Sequence, residues 1–381
     1  MGRNRWWNKP IPIERRSTQG WKGVLLKPTS EPLVPIGPFT NYSLLGGTAI
    51  YAGQDTSSPY YPDGLKGSLL THFVRRSVAK RLLIAALLLP KQYIFWLWDC
   101  YRPLEVQSSL YESCFFRVKT RHPDWNEDKV SLETQRFASI PSNNPLAPSP
   151  HNTGGAIDLT LAYFPSLGDW RKTRKLFWEV AKIRNIWGDS EKAPKWAWKK
   201  AFSLEMELWE LYRQRTLIIN MGTVFDAVKP ETETAYFEKR LKAVKLMPHE
   251  RPVLSNRRLL YWILKLVGFS SYEEEWWHFD RGNQFAAKRA GGNAFYGAAN
   301  FSDDNYRWEI IRRSNWQRTL RILSGENVTN PPKKVWFGVK DSNPIKRPTW
   351  TYEALELSQK ITPEVVRTNP KNSPHQVADI I

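Results

Sequence analysis

Cysteine is almost missing from this 381-residue chain, which has only Cys100 and Cys114. Two thiols make no disulfide framework, so nothing here depends on an oxidising compartment. Long apolar runs are missing too. The most apolar stretch, Leu82 to Trp98, is interrupted by Pro90, Lys91 and Gln92. It falls short of the ~20 residues that a membrane-spanning helix needs. The opening MGRNRWWNKPIPIERR lacks an apolar h-region and a small-residue cleavage site, and Trp6 stands where a myristoylation signal wants Ser or Thr. These absences lead us to expect a soluble, cytoplasmic protein. Acidic charge is scarce as well: 37 Asp and Glu against 56 Lys and Arg, a formal +19. Such an excess favours contact with something anionic, such as nucleic acid, a membrane surface or a cell-wall polymer, although an inert basic surface has the same composition. What is plentiful is tryptophan, with 19 residues, in a chain that is 41% apolar. That excludes a disordered protein and suffices for one sizeable core with appended segments.

Residues 1–40 are proline-bearing and aperiodic, and read as an extended lead-in with turns. Apolar residues at helical spacing predict a helix over Ser68 to Leu89, ended by Pro90. The aromatic run Tyr93 to Trp98 predicts a buried strand, and a helix is expected from near Pro103 to Cys114. Ala156 to Leu161 (AIDLTL) reads as a strand, and residues 234–246 and 259–267 as helices. A block over Pro165 to Leu217 sets Trp170, Trp178, Trp187, Trp196, Trp198 and Trp209 among many lysines and arginines. It reads either as a surface that stacks on bases or sugars or as an amphipathic helical hairpin whose tryptophans face the core. Beyond about Asn300 the chain turns polar and proline-rich, as a peripheral tail would.

Two of the six histidines stand in unusual company. In SPHNTGGAIDLT, His151 and Asp158 are seven apart, and the intervening Gly154-Gly155 pair lets the backbone turn sharply. In EWWHF, Glu275 precedes His278 by three. A strand would point these two to opposite faces, so a local distortion is expected there. A His, Asp, His set leaves a zinc ion one open position for water, the mark of a catalytic site. A carboxylate that does not bind the metal, here Glu275, can then move protons. Spacing alone does not make this trio specific. A third motif, WDCYRP, places Arg102 after the aromatic strand. It reads either as a fixed cation for a developing oxyanion or as the partner of a nearby carboxylate. Cys100 beside Asp99 is set aside as a nucleophile, because no third residue orients a histidine toward it.

Taken together and in order, WDCYRP (98–103), SPHNTGGAIDLTL (149–161), MGTVFD (221–226) and EWWHF (275–279) resemble the D-alanyl-D-alanine dipeptidase family of zinc enzymes. IPI (11–13), EPLVPI (31–36) and YAGQ (51–54) add to the likeness, which covers roughly residues 10–162 and 218–297. The resemblance implies one Zn2+ per chain, bound by His151, Asp158 and His278, with Glu275 as catalytic base and acid. It implies that Arg102 stabilises the tetrahedral intermediate and that Asp226 holds the substrate's ammonium group. Ser149 would contact the substrate, with Tyr42 near the ammonium. The implied fold is α+β: a small antiparallel sheet carrying the zinc site, with helices packed outside it. A Trp-rich helical insertion over about 163–217 and a C-terminal extension over 301–381 would be added to a catalytic domain spanning 1–300. The implied activity is hydrolysis of D-alanyl-D-alanine, a small dipeptide substrate, by zinc-bound water. A zinc carboxypeptidase or endopeptidase acting on longer peptidoglycan stems is the second reading, motivated by the basic surface, which would suit an anionic cell-wall polymer. The third is a catalytically inert module whose basic Trp-rich insertion binds nucleic acid or glycan.

Overall fold

The aromatic run Tyr93–Asp99 and the apolar run Ala156–Tyr163 lie side by side at the centre of one sheet. Nearly every residue of both is buried, so both faces are covered; the first run stays apolar through Trp98, whereas the second alternates Ile157, Leu159 and Leu161 with Asp158 and Thr160. The computed structural model describes residues 5–37, 44–53, 58–135, 137–187, 194–303, 305, 306 and 309. In chain order its elements are α1 (Arg5–Asn8), β1 (Leu33–Ile36), β2 (Leu45–Gly47), β3 (His72–Arg75), α2 (Arg76–Leu88), β4 (Tyr93–Asp99), α3 (Leu104–Arg121) and α4 (Glu127–Thr134). There follow β5 (Ala156–Tyr163), α5 (Leu167–Trp187), α6 (Lys195–Arg215), β6 (Leu217–Ile218), α7 (Tyr236–Ala243), α8 (Glu250–Leu266), β7 (Ser270–Ser271), β8 (His278–Asp280) and α9 (Gln284–Ala290).

The fold is mixed α+β. The main sheet runs β2-β4-β5-β8-β7, and β6 adds a short pairing to β5. It is not wholly antiparallel as expected, because β2 runs parallel to β4. The crossover through β3 and α2 explains this: a helix between two strands returns the chain in its original direction. A separate two-stranded sheet pairs β1 with β3, from Leu33 opposite Arg75 to Ile36 opposite His72. That pairing takes the first part of the helix expected over Ser68 to Leu89, so α2 begins only at Arg76. The helices expected from Pro103 and over 259–267 are longer than anticipated. In α8 the extra length begins at Glu250, whose carboxylate accepts from the Met247 N–H at 2.8 Å and so ties the incoming chain to the first turn.

One large apolar cluster unites α2, β4, β5 and α8 with Leu176, Val180, Leu204 and Leu208 of the Trp-rich block. That block forms the two helices α5 and α6, packed on each other. Its described tryptophans divide: Trp170 packs against the core, whereas Trp178 and Trp196 are exposed. Among the described residues no helix is long and apolar enough to cross a membrane. Tyr42 and almost all of 301–381 lie outside the described residues.

Candidate metal centre and active site

The register of the central strands builds the site. Asp99 on β4 stands opposite Asp158 on β5, and Asp158 stands opposite His278 on β8. Residues opposite one another share a sheet face, so three polar side chains form one row. The β4–β5 register shifts between Leu97 and Asp99, which brings Asp99 level with Asp158. His151 enters from a single 3-10 turn, His151–Thr153. The glycine pair that follows is forced by space. A Cβ at Gly154, whose φ is 70°, would lie 2.4 Å from Leu33 Cδ2, and one at Gly155 would lie 2.4 Å from the Arg281 carbonyl oxygen. Only glycine lets the chain pass from His151 straight into β5.

The distortion expected between Glu275 and His278 is a complete turn, closed by His278 N–H donating to the Glu275 carbonyl at 3.2 Å. The strand therefore starts at His278 rather than at Trp276. Buried Trp276 anchors the turn by donating its indole N–H to Thr223 Oγ1 at 2.8 Å. The turn leaves Glu275 Oε2 3.9 Å from His278 Nδ1. Its carboxyl is pushed up to about 7, first by desolvation and then by Asp158, with His278, His151 and Arg102 opposing.

Three ligand atoms converge within 4.8 Å of one another: one each from His151, Asp158 and His278, all buried. His278 Nδ1 lies 2.9 Å from Asp158 Oδ1, and His151 Nε2 lies 3.4 Å from Asp158 Oδ2. The two imidazole nitrogens are 3.3 Å apart. Each ring commits its other nitrogen elsewhere. His151 Nδ1 lies 2.7 Å from the Cys100 carbonyl, which can only accept, so Nδ1 carries the hydrogen and Nε2 offers a lone pair. His278 Nε2 donates to Asp280 Oδ2 at 2.9 Å. Asp280 in turn accepts from Arg289 Nη2 at 2.7 Å and Asn283 Nδ2 at 2.6 Å. Burial would raise the Asp280 carboxyl, but His278 and Arg289 overcome it and hold it below the usual range. Asp158 is likewise lowered against its burial by His151 and His278. Burial would lower the His278 imidazole, yet Asp280 and Asp158 lift it well above the usual value. Without a metal His278 therefore keeps a proton on Nδ1 toward Asp158, and once that proton leaves, two lone pairs and a carboxylate face a common point that suits a divalent cation. Tetrahedral bonds of zinc to such donors would set ligand atoms about 3.3 Å apart, close to what is found. The donor set fits a divalent ion with a position left open.

Arg102 is buried beside this cluster. Nε and Nη2 donate to Asp99 Oδ2 at 3.0 and 2.6 Å, Nη1 to Gln107 Oε1 at 2.8 Å, and Nη2 to the Tyr51 hydroxyl at 3.0 Å. Burial works against its charge, but Asp99, Tyr51 and Asp158 hold it firmly protonated. Both readings of Arg102 therefore converge, as a buried cation fixed by a carboxylate. Asp99 also reaches His151 Nδ1 at 3.2 Å, so it links the cation to the cluster. Sequence reasoning missed the roles of Asp99, Tyr51, Gln107, Asp280 and Arg289. Asp99 and Asp280 each lie within three residues of a recognised motif residue, the one signal that pointed to them. The Cys100 thiol is pushed well up by burial and by Asp99 and Asp158, so this residue serves through its carbonyl and not its sulfur.

Asp226 ends the MGTVFD motif at φ 56°, a left-handed conformation uncommon for a residue with a side chain but one that aspartate adopts more readily than most. Its carboxyl is pushed up to about 8, by desolvation first, then by the charges of Asp158 and Glu275, with Arg102 opposing and Asp99 adding. The side chain still reaches solvent, so this crowding of negative charge is what a cationic ligand would relieve. Ser149 is buried, and its hydroxyl donates to Asn152 Oδ1 inside the turn. Asn152 in turn donates to the Arg102 carbonyl.

In sequence the chain is similar to peptidases. A family model described as D-ala-D-ala dipeptidase, within the M15 peptidases, matches residues 209–291, which include Asp226, Glu275 and His278. A D-alanyl-D-alanine dipeptidase of Synechocystis sp. is 25% identical over 262 residues, covering 61% of this chain and 86% of that protein. These findings support a peptidase and, more particularly, the D-alanyl-D-alanine dipeptidase family that the motifs resemble.

Proposed function

We propose that this chain is a zinc-dependent dipeptidase that cleaves D-alanyl-D-alanine into two molecules of D-alanine. His151, Asp158 and His278 would hold one zinc ion per chain. The observation that carries this reading is the convergence of their three ligand atoms beside a carboxylate, Glu275, poised at about 7. Zinc bound there would act as a Lewis acid on the attacking water and the scissile carbonyl. Glu275 takes the proton from the attacking water and passes it to the leaving amine, work that suits a group with a pKa near the working pH. Arg102, fixed by Asp99 and Gln107, offers a cation to the carbonyl oxygen as negative charge develops on it. Asp226 stands among Asp158, Glu275 and Asp99, so an ammonium group placed there neutralises the crowded charge. That preference motivates a substrate with a free amino terminus. Ser149 supports the substrate side through the turn that holds Asn152 against Arg102. On this reading residues 1–300 form the catalytic domain, 163–217 its insertion and 301–381 an extension.

The test joins metal analysis to a D-alanine release assay on the purified chain. One equivalent of zinc and steady release of D-alanine are expected. Full activity in Glu275→Ala would sink the mechanism, and an inactive zinc-loaded wild type would sink the substrate.

A further inference from the structure

A second cleft, about 750 Å3 with its open mouth, lies between the segment 11–16, the start of α7, α8 and β7. Its charges do not balance. Arg15 and Lys239 both pair with the single carboxylate of Glu233. Glu273 lies 3.8 Å from the buried Arg289. Arg16 donates only to the Arg289 carbonyl, at 2.7 Å. Among the described residues neither Arg16 nor Lys265 has a carboxylate within ion-pair reach. Lys265 is half-buried, and its ammonium is pushed down by burial first and then by the charges of Arg16 and Arg289, with Glu273 opposing. A cation held in such a place gains from an anion that fills the cleft.

The remaining lining is mixed, with Glu14, Ser270 and Ser271 beside an apolar wall. Tyr261 and Trp262 of α8 face Ile11 and Ile13 across the cleft. Trp262 is fixed in place by its indole N–H, which donates to the Lys9 carbonyl at 2.9 Å. A rigid aromatic wall beside an excess of basic side chains, Arg15, Arg16, Lys239 and Lys265 against Glu14, Glu233 and Glu273, suits a ligand with an apolar body and one anionic group. The metal cluster has the opposite preference, with the Asp158 carboxylate and two imidazoles converging on a point that suits a cation. The two sites therefore select different chemistry.

We propose that this cleft binds a small organic anion, a carboxylate carried on an apolar or aromatic body, with Arg16 and Lys265 holding the carboxylate. This site stands apart from the proposed peptidase activity, and its test does not require that activity. The probe is benzoate, titrated calorimetrically into the full zinc-treated chain, with inorganic phosphate as the comparison. One saturable benzoate site is expected. Arg16→Gln and Lys265→Met should each weaken it about tenfold, the scale of one lost charge-assisted hydrogen bond, without changing dipeptide hydrolysis. Arg16 is exposed, so Arg16→Gln should melt like the wild type and keeps the test sound if Lys265→Met proves unstable. Phosphate binding as tight as benzoate would overturn the apolar half of the assignment. Benzoate binding unchanged in both variants, or no saturable binding at all, would overturn the site.

Discussion

His151 Nε2 and His278 Nδ1 face one another across 3.3 Å, with each ring's other nitrogen already committed as a donor. In the metal-free protein a proton held by the raised His278 imidazole occupies the point that the two rings share with Asp158, and a metal ion would take that proton's place. Zinc, with Asp158 as the third ligand, should therefore bind at one ion per chain. Chelation should lower the melting temperature, because a ligand of the native state alone stabilises it by mass action. His278→Ala and Asp158→Asn should abolish stoichiometric zinc in elemental analysis. Retention of one tightly bound zinc in both variants would place the metal elsewhere.

Asp280 orients His278 from behind, accepting its Nε2–H while Arg289 and Asn283 hold the carboxylate. Such partners of a metal ligand are commonly worth ~10–100-fold in metal affinity, and Asp280→Asn should weaken zinc binding by about that factor. Competition against a chelating dye measures this directly. Arg289 loses a buried partner in this variant, so its melting curve should be recorded alongside. A folded Asp280→Asn protein with wild-type zinc affinity would remove Asp280 from this role.

Glu275 must be ionised to accept a proton, and its carboxyl sits at about 7. Activity should therefore fall as the pH drops through that region. A zinc ion close by favours the carboxylate and would move this acidic limb lower. Glu275→Gln should reduce kcat by ~10²–10⁴-fold, the range for a lost general base, while leaving zinc content intact. The kcat/KM profile of the residual activity should lose its acidic limb. An unchanged limb would assign that titration to another group.

Much of this site was legible before the structure, and the part that was not has a physical reason. His151, Asp158, Glu275 and His278 lie in short motifs whose glycines and spacing are visible in one dimension. The distortion between Glu275 and His278 followed from strand geometry alone. The row Asp99-Asp158-His278 was hidden, because it depends on which strands pair and in what register. Asp99 and Asp280 looked like ordinary neighbours until the sheet set them against Arg102 and His278. The apolar spacing of α2 runs on through His72–Arg75 and so predicts helix there, and only pairing with Leu33–Ile36 reveals β3. The α5 and α6 hairpin kept its helical period and was read as helical. The exposure of Trp178 and Trp196 was not legible, because periodicity shows that a face is apolar and not what covers it.

Asp226 should trade stability for binding, and the sign can be worked out. Its carboxyl is pushed from an ordinary value near 3.8 up to about 8 in the fold. A group whose pKa is raised by folding contributes stability below its unfolded value and loses that contribution as the pH climbs through its folded value. The ligand-free, metal-free protein should therefore lose stability between about pH 4 and pH 8, as the carboxyl ionises among Asp158, Glu275 and Asp99. Asp226→Asn cannot ionise, so its melting temperature should change less over that window and exceed that of the wild type at pH 8. On the proposed reading the same change removes the partner for a substrate ammonium, so KM for D-alanyl-D-alanine should rise while zinc content stays at one per chain. Thermal melts at pH 5 and pH 8, set beside steady-state kinetics, separate the two effects. A variant that is less stable than the wild type at pH 8, with KM unchanged, would show that Asp226 holds the turn at φ 56° rather than the substrate.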